Sequence, residues 1–95
     1  MANVSLQNRD GKFFLAGDLS FDSVGVLVDE QLYSNGDVIV NLSEVNYSDS
    51  SGLALLINWY REAKKRSINM SFEAVPQKMM ALAKVSNLDK VLPIV

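Results

Sequence analysis

Residues 38–56, "VIVNLSEVNYSDSSGLALL", organise the reading of this 95-residue chain. The stretch opens as a β-branched run bounded by a turn, and its continuous apolarity suggests a strand covered on both faces. It closes as an apolar run at helical spacing. "SEVNYSD" between them reads as a loop, and Ser48 or Asp49 can cap the helix that follows. A buried strand feeding a helix is half of a βαβ unit.

The flanks supply the remainder. Toward the amino end, "VSLQN" alternates apolar and polar residues, "KFFLAG" is more continuously apolar, and "RDG" between them is a turn signal. A hairpin is expected. "DLSFDSVGVLVDEQLY" offers Ser20 and Asp22 as caps, with Val24, Leu27, Val28 and Leu32 at helical spacing. Gly25 weakens that helix by about 1 kcal/mol relative to alanine, and "SNGD" stops it.

Toward the carboxyl end, a helix is expected from about Ser50 to Arg66, with lysine and arginine in its last turn complementing the helix dipole. "INMSFEAV" places Ile68, Met70 and Phe72 on one face of a strand. Pro76 opens a helix in "PQKMMALAKVSN", with Met79, Leu82 and Ala83 as its apolar stripe. "LDKVLPIV" ends as a short apolar turn or helix. The order β-β-α-β-α-β-α implies parallel pairs joined by right-handed crossovers. The expected fold class is therefore α/β, a single domain over residues 1–95 with a small mixed sheet and helices packed against it.

Composition narrows the function. Cysteine and histidine are both absent, which removes disulfides, thiolate nucleophiles, the commonest general base and the commonest metal ligand. No phosphate-cradling glycine loop is present either. An enzyme is the weakest expectation, and no metal or cofactor is expected. No window approaches 18 consecutive apolar residues and the start lacks the pattern of a secretory signal, so a cytoplasmic protein is expected. Residues 1–49 hold two basic and eight acidic residues, a net of −6, whereas residues 50–95 hold seven basic and three acidic, a net of +4. Such asymmetry fits docking by one face. It fits nucleic-acid binding poorly, since "AKKR" is the one dense basic cluster and reads as a solvated helix end.

The corner itself carries the candidate site. A helix amino terminus offers unpaired N–H groups and partial positive charge, which favour a phosphoryl group on Ser50. Asp49 beside it adds like-charge repulsion, so such a modification would be cheap to add and to remove. The plain alternative is a helix cap worth roughly 1 kcal/mol. Against it stand the cluster Ser48, Asp49, Ser50 and Ser51, where one cap needs one oxygen, and Gly52, which allows another backbone to approach closely. Leu53, Leu56, Ile57, Tyr60 and Ala63 form the stripe expected to face the sheet, leaving Leu55 and Trp59 on a different face. Those two form either a docking patch or a face buried beneath the carboxyl-terminal tail.

These segments resemble the STAS domain, the fold shared by anti-sigma-factor antagonists and the tails of sulfate transporters. "FFLAGDLSFDSV" looks like its second strand running through a Gly-x-Leu turn into the first helix, and "VIVNLSEVNYSDSSGLALL" is similar to its most recognisable segment. "GLALLINWYREAKK" and "LAKVSNLDKVLP" look most like the MlaB type, the small STAS subunit of a bacterial ABC system for phospholipids. Two positions depart from the pattern. Asn41 stands where many members have aspartate, and Ser48 stands where an apolar residue usually precedes the motif acid.

The resemblance implies a non-catalytic cytoplasmic subunit, peripheral at the inner membrane through its partner. It would bind and tune the ATPase of a transporter, with its permease, that maintains outer-membrane lipid asymmetry. Partner binding is then expected at Asp49, Ser50, Ser51, Gly52, Leu55 and Trp59. The antagonist members imply an alternative, a transcriptional switch in which a serine kinase phosphorylates Ser50 and an anti-sigma factor is the partner.

Overall fold

The structure is a computed structural model that describes residues 4–30, 32 and 36–95. Gln31 and residues 33–35, which belong to the expected first helix and its "SNGD" stop, lie outside the described residues. The elements run β1 (Val4–Arg9), β2 (Lys12–Leu19), α1 (Phe21–Val24), β3 (Val38–Ser48), α2 (Ser50–Lys65), β4 (Met70–Glu73) and α3 (Gln77–Val85). A 3₁₀ turn, Leu88–Lys90, follows.

The four strands form one mixed sheet in the order β1-β2-β3-β4. β1 and β2 are the expected hairpin, antiparallel from Val4↔Gly17 to Arg9↔Lys12. Its two-residue turn has φ of 55° at Asp10 and 86° at Gly11, the left-handed pair whose twist matches that of the strands. β2–β3 and β3–β4 are parallel. Their right-handed crossovers advance in one direction, which puts the connecting helices on one face of the sheet.

That face holds the core, with Leu15, Val40, Leu42, Leu56, Phe72 and Met79 fully buried. The other face is half open, and Phe14, Ile39, Asn41 and Glu73 are partly exposed on it. Here the structure corrects the expectation for β3, which is covered on one face and only half covered on the other. Polar contacts tie this open face together. Glu73 accepts a hydrogen bond from Asn41 Nδ2 at 2.6 Å and pairs with Lys12 Nζ at 2.8 Å, while the Arg9 guanidinium lies 4.3 Å from the Phe14 ring centroid.

Two further elements differ from the sequence reading. "SEVNYSD" is not a loop, because β3 continues through Ser48 against β2. Register shifts between Phe14/Ala16 and Gly17/Asp18 absorb the break in alternation and keep Val45 buried. α1 is a single turn followed by further turns. Its buried residues are Ser23 and, beyond it, Leu27, while Val28 is exposed. At the far edge the carboxyl end adds a parallel bridge to β4 (Phe72↔Ile94), with Phe72 N–H donating to the Pro93 carbonyl at 3.0 Å. This covers an edge that would otherwise carry unpaired backbone groups.

Candidate functional site

β2 and β3 end side by side, Asp18 opposite Tyr47 and Leu19 opposite Ser48. Asp49 N–H donates to the Leu19 carbonyl at 3.0 Å, which extends the pairing one residue into the corner. α2 starts immediately afterwards. Asp49, extended at φ −99° and ψ −167°, is its N-cap, and its Oδ1 accepts from Ser51 N–H at 2.8 Å. Ser48 takes a different part, its hydroxyl donating to the Asp49 carbonyl at 2.9 Å.

Capping thus uses one carboxylate and leaves Ser50 uncommitted. Ser50 is exposed in the first turn of α2, and among the described residues its hydroxyl makes no hydrogen bond. Asp49 and Ser51 beside it are half-buried. The N–H groups of such a turn and its partial positive charge face whatever approaches Ser50.

Gly52 has an internal role. It is buried, and a Cβ built on it would overlap the Ser48 hydroxyl and approach Leu19 Cβ and Cδ1 at 3.1 and 3.2 Å. The glycine lets α2 sit down on the ends of β2 and β3, and this is the close approach that its presence in a helix demands.

Leu55 and Trp59 are also withdrawn from the surface, each 2% exposed. The reading of an exposed Leu–Trp patch is therefore corrected, and the face holding them is a buried one. The segment after α1 lies against α2, where Asn58 Nδ2 donates to the Val28 carbonyl at 3.2 Å. Trp59 lines a cleft of about 190 Å³ shared with Val28, Leu32, Asn58, Ile68 and Met70. Its indole Nε1 is buried, and among the described residues it has no hydrogen-bond partner.

Two residues at this end had no part in the sequence reading. Phe21 is 82% exposed and Tyr47 is 53% exposed. Phe21 stands two residues beyond the Leu19–Ser48 pair, and Tyr47 is three residues before Ser50. The available signal was the position of Phe21 directly after the cap at Ser20, out of step with the Ser23–Leu27 pair that is buried.

No group of three or more acidic residues among the described ones has the arrangement of a metal site, and no described helix is long and apolar enough to cross a membrane.

A mixed sheet that delivers an exposed serine to a helix end, with an acid cap behind it, defines a small α/β domain that presents a helix terminus. The family model described as "Mlab, STAS domain" matches residues 2–94, and the chain belongs to that STAS family. Its structure is similar to the crystal structure of an anti-sigma factor antagonist from Mycobacterium paratuberculosis. The TM-score is 0.66 at 19% sequence identity, over 96% of this chain and 82% of that one. At that identity the likeness concerns the fold. No curated protein matches the chain significantly.

Proposed function

We propose that this chain is a non-catalytic STAS subunit that binds and tunes the ATPase of an ABC phospholipid transporter maintaining outer-membrane lipid asymmetry. It works in the cytoplasm and reaches the inner membrane through that ATPase and its permease. Membership of the MlaB-type STAS family supports the class of partner. One observation carries the site. Ser50 is exposed at the start of α2 with its hydroxyl unused by the fold, so it is available to a partner's donor or acceptor without loss of an internal bond. Asp49 holds the turn and Ser51 flanks it, while Gly52, Leu55 and Trp59 support the helix from within.

Affinity capture of the tagged protein from its native cells, with mass spectrometry of partners, tests this. An ABC ATPase with its permease is expected, Ser50 is expected unmodified, and Ser50→Ala should weaken recovery without unfolding the domain. Unchanged recovery with Ser50→Ala would remove Ser50 from the interface.

The same exposed hydroxyl supports a second reading, an anti-sigma-factor antagonist whose Ser50 is phosphorylated by a serine kinase. An anti-sigma factor antagonist shares this fold, which is compatible with that alternative. Recovery of a kinase together with phosphate on Ser50 would decide for the switch and against the transporter.

A further inference from the structure

Phe21 and Tyr47 are the exposed large aromatic residues among those described, and both lie at the end of the sheet where Ser50 emerges. Every other described phenylalanine, tyrosine or tryptophan is buried or half-buried. An aromatic ring left 82% exposed contributes nothing to the core, yet Phe21 sits on a fixed turn rather than on a loose loop. Ser23 holds that turn. Its hydroxyl accepts from Ser20 N–H at 2.8 Å and donates to the Asp18 carbonyl at 2.5 Å. A rigidly presented exposed aromatic is the usual form of an interface anchor.

The charge around it has one sign. Asp18, Asp22 and Asp49 surround this end, and neither residues 18–22 nor residues 46–60 contain a lysine or arginine. The cations of α2, Arg61, Lys64, Lys65 and Arg66, are all in its last turns. The Ser50 end of α2 is thus acidic with two exposed rings, whereas the cations gather at its other end, where Asp29, Glu30 and Glu62 lie among them.

We infer that Phe21 is the apolar anchor of the docking surface. Its partner is a protein surface offering an apolar pocket rimmed by lysine or arginine, with Tyr47 and the three aspartates completing the contact. Charge complementarity selects a basic protein surface over an acidic one. The inference rests on the reading of the Ser50 end as the docking end, and it adds what the partner must present there. It also gives phosphorylation of Ser50 a physical consequence. Further negative charge would enter an already acidic surface and change its fit to a cationic rim.

The experiment is quantitative capture of the same co-purifying protein by the full-length chain carrying Phe21→Ser, Asp22→Asn or Ser50→Ala, across a range of salt. Carbodiimide cross-linking accompanies it, to join aspartates to partner lysines. Phe21 and Asp22 are exposed, and thermal unfolding of each variant checks that the fold is kept. The expected result is a loss of recovery of about tenfold or more for Phe21→Ser. Asp22→Asn should show a smaller, salt-dependent loss, with cross-links from Asp22 or Asp49 to the partner. If Ser50→Ala weakens recovery while Phe21→Ser does not, the anchor is overturned and the docking end stands. If Phe21→Ser weakens it while Ser50→Ala does not, the anchor stands and the role of Ser50 falls. If neither matters, or the wild type captures nothing, both fall.

Discussion

Gly52 in α2 lies so close to Ser48 at the end of β3 that a single added carbon would overlap the serine hydroxyl. Leu19, 3.1 Å from the same position, closes the other side. Gly52→Ala therefore sets a gain in helix propensity of about 1 kcal/mol against overpacking that typically costs about 1–3 kcal/mol. It also displaces the Ser48 hydroxyl from the Asp49 carbonyl. Net destabilisation of about 1–2 kcal/mol is expected in denaturant unfolding. Ser48→Ala in the same chain removes the overlapping oxygen and should recover part of that loss, a non-additivity that a double-mutant cycle reads directly. Strictly additive effects would show that Leu19 alone forbids the side chain.

Asp49 and Ser50 are neighbours with opposite expectations. Asp49→Ala removes the oxygen that accepts from Ser51 N–H and should cost about 1 kcal/mol, several degrees of Tm for a domain of this size. Ser50→Ala removes an exposed, unbonded hydroxyl and should leave stability within about 0.5 kcal/mol. A stability loss in Ser50→Ala equal to that in Asp49→Ala would mean that serine shares the cap.

Much of this architecture was legible before any coordinates, for identifiable reasons. Asp10-Gly11 permits the left-handed turn that a two-residue hairpin needs, and Met70 and Phe72 alternate onto one face as a short strand must. A cap at Ser48 or Asp49 followed from their position before an apolar run, and Asp49 is the one that accepts from Ser51 N–H. Burial of Leu55 and Trp59 was one of two open readings, because it depends on the chain after α1, whose pattern Gly25 obscures. What lies over a helix is a tertiary fact, and helical spacing reveals which residues share a face but not whether that face is covered. The extension of β3 through Ser48 was hidden for a related reason, since a register shift breaks the alternation by which a strand is recognised. Phe21 escaped notice because an apolar residue beside a cap usually packs inward.

Trp59 combines near-complete burial with an indole N–H that has no partner among the described residues. An unpaired buried donor costs roughly 1–3 kcal/mol, and phenylalanine at this position would remove that cost while giving up part of the ring volume. Trp59→Phe is expected to change stability by no more than about 1 kcal/mol, because the two effects oppose each other. Trp59→Ala loses the packing as well and should cost about 3–5 kcal/mol. Loss of partner binding in Trp59→Ala would then report unfolding, whereas unchanged binding in Trp59→Phe would agree with an internal role. Equal destabilisation by both substitutions would show that the indole N–H does find a partner in solution.

Glu73 supplies a pH-dependent contact on the open sheet face. Hydrogen bonds from the Lys12 ammonium and the Asn41 amide, with the charge of Lys12, hold its pKa below the ordinary value of 4.5, and partial desolvation opposes them. A depressed carboxylate pKa means that the unfolded chain binds the proton more readily than the folded one. The stabilisation is therefore complete above pH 4.5 and is lost as pH falls below it through the folded-state value. Glu73→Gln should lower Tm at neutral pH, and its gap to the wild type should close on acidification. Lys12→Met should reproduce that narrowing, because it removes the largest cause of the shift. The side chains of Lys12 and Glu73 are 38% and 26% exposed, so added salt should shrink the neutral-pH gap as well. A Glu73→Gln gap of constant size from neutral to strongly acidic pH would mean that the residue acts through shape and hydrogen bonding, not through its charge.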